Sequence, residues 1–204
     1  MKVINQSAIL EFVTPDALQL IERAGRTCYR SEEKITNTSA ARFVKMLLDR
    51  GHLSVLEHAV ATIRFVTDRG VTHELVRHRL AAYSQESTRY CNYGGQDMEF
   101  VIPEDAVGSP MLESAEFYVW KQAMKDAERV YKDLLAFGVS PQVARSVLPN
   151  SLKTEIVMTA NFREWRHVFK MRLDKAAHPS MRRLMRLAEV HLHALYPEVF
   201  TEPY

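Results

Sequence analysis

The chain has 204 residues, 47% apolar and 25% charged, which are the proportions of a globular protein able to bury a core. Its 27 basic and 25 acidic residues nearly cancel, so the overall charge gives no reason to expect nucleic-acid or membrane binding. Cys28 and Cys91 lie far apart and lack any CxxC partner, so neither a disulfide framework nor a structural zinc site is expected. Met1–Phe12 has no long apolar core of a secretory signal, and no apolar run approaches the ~18 residues that span a bilayer. We therefore expect a cytoplasmic protein with a single domain over residues 1–204.

The first half of the chain predicts short helices around one strand. Pro15 suits the first turn of a helix, and an apolar stripe predicts a second helix over residues 39–48. Ser54 and Glu57 have the spacing of a capping box, so a short helix is expected there. Residues 59–66 alternate like a strand, and Thr72 is expected to cap the helix that follows.

The second half predicts more helix than strand. Residues 87–93 and 99–102 look extended, and a long amphipathic helix is expected over residues 111–137. A short helix follows from residue 140, then a strand over 153–159 and helices over 161–173 and 179–196. Since helices dominate and strands do not alternate with them, we expect an α+β fold. Its sheet should be small, mostly antiparallel and flanked by several helices, including one long helix.

Three potential cations stand in a row at Arg77-His78-Arg79. Successive helical side chains point about 100° apart, so the three cannot meet one ligand from inside a helix. They are better used where a helix ends and the chain turns. One interpretation is that they complement the helix dipole, and the other is that they bind a ligand.

A polar segment follows, in which Gln85, Ser87 and Arg89 would share one face if the chain were extended. An amide can both donate to and accept from a base edge, while a hydroxyl and a guanidinium suit a phosphate. A nucleotide-binding face and a simple polar surface are the two interpretations of this pattern.

Together, Arg77-His78-Arg79, seven further residues and Ser87-Thr88-Arg89 resemble the signature of the flavin-dependent thymidylate synthases. The resemblance continues at residues 51–58, 138–149 and 161–173, and it covers roughly residues 40 to 190. It implies reductive methylation of deoxyuridylate (dUMP) to dTMP. The implied carbon donor is 5,10-methylenetetrahydrofolate, with tightly bound FAD, NADPH as reductant and tetrahydrofolate as product. It also implies a homotetramer whose active sites are shared between subunits.

The resemblance also implies residue roles. Arg172 is the expected catalytic residue, because a permanent guanidinium near N3 and O2 of uracil would favour the anionic ring. The expected dUMP-binding residues are Glu74, Arg77, Gln85, Glu86, Ser87, Thr88, Arg89, Arg145 and Arg172. The expected FAD-binding residues are His52, Ser54, Arg77, His78, Arg79, Gln85, Asn161, Arg163 and His167.

Several of these residues also have plain structural interpretations. Asn161 has the position of a helix cap, with Glu164 three residues later. Arg163 and His167 could form a solvated helix face, and Arg145, set among apolar neighbours, needs a carboxylate or a phosphate. Ser87 has no neighbouring base in sequence, so an orienting role is expected rather than a nucleophilic one.

Metal and nucleic-acid sites are the remaining alternatives. His52 and His58 flank Glu57, but the spacing is not that of a metal motif, so no metal is expected. The run Arg182, Arg183 and Arg186 suggests a non-catalytic nucleotide- or RNA-binding protein as the rival hypothesis. We expect a solvated helix face or a subunit contact there instead. A family member with a different substrate is the third possibility.

Overall fold

Helices and strands mix in the computed structural model, which describes residues 1–104 and 114–204. A four-stranded antiparallel sheet has the order β2-β3-β6-β4, and its strands are β2 (Ser7–Val13), β3 (Val60–Asp68), β4 (Ala81–Gln85) and β6 (Lys153–Asn161). β1 (Lys2–Ile4) pairs in parallel with β5 (Glu99–Val101) in a separate two-stranded sheet. The expected α+β fold is confirmed.

The helices differ widely in length. They are α1 (Ala17–Thr27), α2 (Ser39–Asp49), α3 (Arg69–Leu75), α4 (Ala115–Ala136), α5 (Pro141–Ala144), α6 (Phe162–Arg172) and α7 (Pro179–Leu195). Short 3₁₀ helices occupy Glu32–Lys34, Leu53–His58 and Arg145–Val147. Within the described ranges, no helix combines the length and the apolarity needed to cross a membrane.

The chain divides into two compact units. The first comprises Met1–Ser7, Phe65–Arg77 and the described part of 84–156. The long helix α4 packs there on α5 and on the 3₁₀ helix that follows. The apolar core of this unit contains Tyr93, Met98, Phe100, Met124, Tyr131, Ala144 and Leu152.

The second unit comprises Ala8–Arg64, His78–Tyr83 and Val157–Tyr204. In it α1 packs on α2, and α6 packs on α7. The predicted apolar stripe of α6 is fully buried at Phe162, Trp165 and Phe169. The Trp165 indole N–H also donates to the carbonyl of Ala61 at 3.0 Å, which satisfies its only polar atom.

Two predicted helix starts are wrong. Asp68 begins α3, because its side chain accepts a hydrogen bond from the backbone N–H of Val71 at 2.7 Å, and Thr72 lies inside the helix. Ser54 lies inside the 3₁₀ helix Leu53–His58, whose start has no side-chain cap. The side chain of Glu57 does not close a capping box with Ser54, because it accepts a hydrogen bond from Arg163 at 2.6 Å.

The predicted extended segment over residues 87–93 is also wrong. β4 ends at Gln85, and the carbonyl of Ser87 then accepts from the backbone N–H groups of Tyr90 and Cys91. The Ser87 hydroxyl accepts a further hydrogen bond from the N–H of Arg89 at 3.3 Å. A serine that satisfies nearby backbone groups favours a turn over a strand.

Most of the other helices follow the prediction closely, but Pro15 lies in a turn before α1 and not in its first turn, as had been predicted. Asn161 caps α6 by accepting from the N–H of Glu164 at 2.8 Å, as expected. The long helix α4 ends near the predicted residue, while residues 111–113 of its predicted start lie outside the described residues. β1 and β2 were not predicted, because the alternation of residues 2–13 is weak.

Candidate active site

The basic triplet lies in the connection between α3 and β4, where the chain has left the helix. Arg77 and Arg79 are exposed, whereas His78 is only 7% exposed. The expectation that the triplet lies where a helix ends and the chain turns is confirmed. His78 is the member of the triplet that enters the protein.

His78 contacts four other side chains of the second unit among the described residues. Its Nε2 accepts a hydrogen bond from Nε of Arg172 at 2.9 Å, and its Nδ1 lies 3.6 Å from Oε1 of Glu164. Its backbone carbonyl accepts from the hydroxyl of Tyr83 at 2.9 Å. The ring of His167 stands edge-on to the His78 ring, with the centroids 5.8 Å apart. Both ends of α6 are therefore connected to one imidazole.

The imidazole of His78 is held neutral. Burial, the largest cause, and the charges of Arg172 and His167 together lower the pKa of His78 to about 4. An arginine Nε can only donate, so Nε2 of His78 must be the acceptor and the single proton of the neutral ring lies on Nδ1, toward Glu164. Burial raises the pKa of Glu164, and the charge of His167 opposes that shift.

His78, Glu164 and His167 are also groups of metal-ligand type, and their ligand atoms lie within 4.8 Å of one another. The Arg172 N–H contact opposes a metal here. It occupies Nε2 of His78 and leaves a proton on Nδ1, so neither ring nitrogen offers a lone pair to a cation. A cation would also lie close to a permanent positive charge. The geometry favours a carboxylate–imidazole–guanidinium chain.

A second polar cluster lies within the first unit. Nη1 of Arg145 donates to the hydroxyl of Thr88 at 3.0 Å. The side-chain amide of Gln85 donates to the hydroxyls of Thr72 and Thr154 at 3.0 and 3.2 Å. Nη1 of Arg69 donates to the hydroxyl of Thr154 at 3.4 Å.

Arg145 and Thr88 face an open groove of about 460 Å³, also lined by Arg69, His73, Gln142, Ser146, Leu148, Pro149, Asn150 and Leu152. Arg145 itself is exposed and donates to Thr88, so burial does not force a carboxylate partner on it, and a phosphate stays the predicted partner. Two guanidinium groups and a histidine on one groove give it the chemistry of an anion site.

The other residues predicted to bind dUMP or FAD are either partly buried or exposed. The carboxylate of Glu86 accepts hydrogen bonds from the Tyr93 hydroxyl at 2.6 Å and from Lys153 at 3.3 Å. Arg89 is exposed over the ring of Tyr90. Arg163 is exposed and bonded to Glu57, and the other surface positions are His52, Ser54, Arg79 and His167. Glu74 is partly buried, and its carbonyl accepts from the N–H of Arg77.

Comparison with known proteins identifies the family. The family model described as thymidylate synthase complementing protein matches residues 9–198. Flavin-dependent thymidylate synthases from Mycobacterium sp. (strain KMS) and Mycobacterium avium (strain 104) are 37% and 38% identical to the chain over 206 and 203 residues. Each alignment covers 90% of this chain and 78% of the relative. The chain belongs to the flavin-dependent thymidylate synthase family.

The fold is similar to that of a solved structure. The crystal structure of the UMP/dUMP methylase PolB from Streptomyces cacaoi, bound with 5-Br dUMP, is similar to this chain with a TM-score of 0.82. The two chains are 22% identical, and the alignment covers 98% of this chain and 95% of PolB. The resemblance found from Arg77-His78-Arg79 and its following turn is thus confirmed at the level of the family.

Sequence reasoning missed one residue of the cluster around His78. Glu164 was interpreted only through its position three residues after the Asn161 cap. Its burial was the missed signal: a glutamate between Arg163 and Trp165 lies next to the apolar stripe of α6 and needs a polar partner there. The ring of His78, which lies far away in sequence, stands opposite its carboxylate.

Proposed function

We propose that this protein is a flavin-dependent thymidylate synthase that methylates dUMP at C5 of uracil. The overall reaction converts dUMP, 5,10-methylenetetrahydrofolate, NADPH and a proton into dTMP, tetrahydrofolate and NADP⁺. The supporting observation is the guanidinium of Arg172, held at Nε by a buried neutral imidazole within a chain of this family. NADPH and methylenetetrahydrofolate are our assignments for the reductant and the carbon donor.

The residues present fit a flavin dinucleotide. FAD carries two phosphates and a ring system rich in hydrogen-bonding atoms, and exposed cations and polar groups suit both. We assign to FAD the exposed residues His52, Ser54, Arg77, Arg79, Arg163 and His167, the partly buried Gln85 and Asn161, and the buried His78, whose ring nitrogens already face Arg172 and Glu164. Bound FAD would supply the redox step that no side chain can perform. Since Oδ1 of Asn161 already caps α6, its amide nitrogen is the group expected to contact the cofactor.

The catalytic contribution of the chain is to hold and polarise the pyrimidine. Arg172 uses its Nε–H on His78, so contacts to uracil must come from its two Nη nitrogens. Paired N–H groups directed at N3 and O2 would stabilise the anionic ring and make C5 more nucleophilic. A guanidinium does this at any physiological pH because it stays protonated.

The polar residues of the first unit are assigned to the nucleotide. Arg145, lining the groove with Thr88, is expected to bind the phosphate of dUMP, together with Ser87 and Arg89 in the turn that follows β4. Gln85, Glu74, Glu86 and Arg77 are our further dUMP assignments. Of these, Glu86 is the one whose carboxylate is already bonded to Tyr93 and Lys153, so we expect its effect on dUMP to be indirect.

The basic residues of α7 give no support to the rival nucleic-acid function. Arg186 bonds to Glu189 at 2.6 Å and to Glu202 at 2.7 Å. Arg182 donates to the carbonyls of Lys175 and Ala177 at 2.9 Å. Cations neutralised or ordered by their own chain contribute little to a phosphate-binding surface.

The test begins with the purified protein, which should be yellow and carry FAD. NADPH oxidation should then depend on both dUMP and methylenetetrahydrofolate, and label in the folate methylene should appear in dTMP. Tetrahydrofolate, and not dihydrofolate, should be the folate product. A colourless protein whose nucleotide affinity falls steeply with salt would support the binding-protein alternative.

The assembly is part of the same proposal. Because one 204-residue chain is small beside FAD and two substrates, we propose a homotetramer with shared active sites. Mixing inactive Arg172 and Arg145 variants should restore some activity if different subunits complete one site. A stable, fully active monomer in sedimentation would refute the proposal.

A further inference from the structure

We propose that Glu164 is a positioning residue for Arg172 and acts on it through His78. The proposal rests on the proposed function, in which Arg172 activates the uracil ring. Its basis is one contact chain inside the second unit. Oε1 of Glu164 lies 3.6 Å from Nδ1 of His78, and Nε2 of the same ring lies 2.9 Å from Nε of Arg172. No role was expected for Glu164 beyond the start of a helix.

The carboxylate of Glu164 does not make the contact that is usual for a glutamate three residues after a helix cap. In a capping box the side chain three residues after the cap reaches back to the backbone N–H of the cap residue. Asn161 does bond the N–H of Glu164, but the carboxylate of Glu164 faces His78. Its side chain is only 7% exposed, so its charge has a large desolvation cost and needs a partner.

The imidazole can transmit the position of Glu164 to Arg172 because its two nitrogens have opposite roles. A neutral imidazole exists as two tautomers, and only the one protonated on Nδ1 can accept from Nε of Arg172. An ionised Glu164 accepts and cannot donate, so it favours the proton on Nδ1. A carboxylate on one side and a guanidinium on the other therefore select the same tautomer and ring orientation.

The consequence is a guanidinium with a fixed plane. Arg172 ends α6, and its long side chain would otherwise adopt several rotamers. When Nε–H is bonded to a buried ring, the direction of the two Nη nitrogens is set by that ring. Tyr83 adds to this by donating to the carbonyl of His78, and the ring of His167 packs edge-on with the imidazole. Among the described residues, Glu164 and Arg172 contact the ring nitrogens, His167 packs edge-on to the ring, and Tyr83 contacts the backbone carbonyl of His78.

Three variants of Glu164 separate positioning from folding. Glu164→Leu removes the acceptor, Glu164→Asp draws the carboxylate back by one methylene, and Glu164→Gln keeps an acceptor oxygen without the charge. Glu189→Gln is the matched control, because Glu189 is a buried glutamate of the same unit that pairs with Arg186. Bound FAD and melting temperature are measured for each holoenzyme.

In the leucine variant we expect kcat to fall about 10- to 100-fold while the KM for dUMP and the FAD content change less than about twofold. The aspartate variant should show the same split with a smaller loss, the glutamine variant should recover most of the activity, and the control should match the wild type. In an Arg172→Lys background, which lacks the Nε–H donor, Glu164→Leu should have no further effect on kcat. If the leucine variant does not fold, the aspartate and glutamine variants test the proposal by the same criterion, a loss of kcat with little change in KM for dUMP or in FAD content.

Magnetic resonance of ¹⁵N-labelled histidine tests the proposal without any assay of activity. His78, assigned by comparison with His78→Gln, should carry its proton on Nδ1 in the wild type and become a mixture of tautomers in Glu164→Leu. A wild type that makes no dTMP would refute the proposed function, yet this tautomer result would still decide the positioning role. A proton on Nε2 in the wild type, or an unchanged kcat in Glu164→Leu with active wild type, would overturn it.

Discussion

The cluster around His78 and the groove around Arg145 use the same kinds of side chain in opposite ways. His78 and Glu164 are buried, and their contacts to Arg172 are already formed inside the second unit. Arg145 is exposed in the first unit, and its groove presents cations to an open volume of about 460 Å³. A buried cluster can fix one geometry, because every polar atom must be paired. An open cationic groove attracts an anion and tolerates variation in the positions of its side chains.

This difference predicts which of the two regions controls turnover and which controls the affinity for dUMP. Losing a group that is pre-organised for the transition state lowers kcat, whereas losing a group that holds the ground state and the transition state equally raises KM. The cluster around His78 should therefore control turnover, and the groove around Arg145 should control dUMP binding. Four predictions test that division.

Arg172→Ala should have the largest effect. Removal of one donor to a developing charge lowers turnover by roughly 10²- to 10³-fold, and we expect at least that loss. FAD should stay bound, because Arg172 is not among the assigned FAD residues. Steady-state kinetics with the flavin content measured by absorbance checks both parts. Turnover close to that of the wild type would remove Arg172 from the mechanism.

His78→Gln should change how stability depends on pH. The folded pKa of His78 is about 4 against an ordinary value of 6.5, so between those values the unfolded chain binds a proton that the folded chain does not. The free energy of unfolding of the wild type should therefore fall as the pH drops from 6.5 to 4, by up to about 3 kcal/mol from this residue. The variant should lack this contribution.

Urea unfolding of both proteins at each pH gives the difference. Glu164, whose pKa is raised by burial, acts in the opposite direction, since the folded chain then binds a proton first as the pH falls. Because Glu164 lies 3.6 Å from the His78 ring, both proteins are compared in a Glu164→Gln background, where this opposing contribution is absent. A difference that stays constant from pH 7 to pH 4 would show that His78 is not held neutral.

Arg145→Ala should raise the KM for dUMP about 10- to 100-fold with little change in kcat, since hydrogen bonds to charged groups contribute about 1.5–3 kcal/mol each. Arg129→Ala is the matched control, because Arg129 is an exposed arginine of the same unit bonded to Asp133. Deoxyuridine without the phosphate should bind equally weakly to wild type and variant. A loss of kcat alone in Arg145→Ala would break the proposed division.

Ser87→Ala should have the smallest effect, a fall of roughly 2- to 10-fold in kcat/KM, which corresponds to one neutral hydrogen bond. The hydroxyl accepts from the N–H of Arg89, so its loss should loosen the turn and leave the chemistry in place. Kinetic assays with varied dUMP measure this. Complete loss of turnover with normal dUMP binding would instead support a nucleophilic serine.

Local patterns predicted most of the helices and the family. The apolar stripes gave α2, α6 and α7 almost to the residue, and Asn161 caps α6 as expected. The predictions failed where two local signals compete: Asp68 caps α3 although Thr72 had been expected to, and the hydroxyl of Ser87 closes a turn where alternation had suggested a strand. Single residues decide such boundaries through one hydrogen bond each.

The sequence by itself determined the α+β class, the membership in a family of flavin-dependent enzymes and the residues that carry the signature. Periodicity and motif spacing are properties of neighbouring residues, so they can be recognised along the chain. Only the tertiary structure decided that His78 turns inward while its neighbours stay exposed, and that Glu164 and Arg172 contact the two nitrogens of its ring. Those contacts join residues 86 to 94 positions apart. Burial then fixes their protonation, because desolvation depends on what surrounds a group in space and not on its neighbours in sequence.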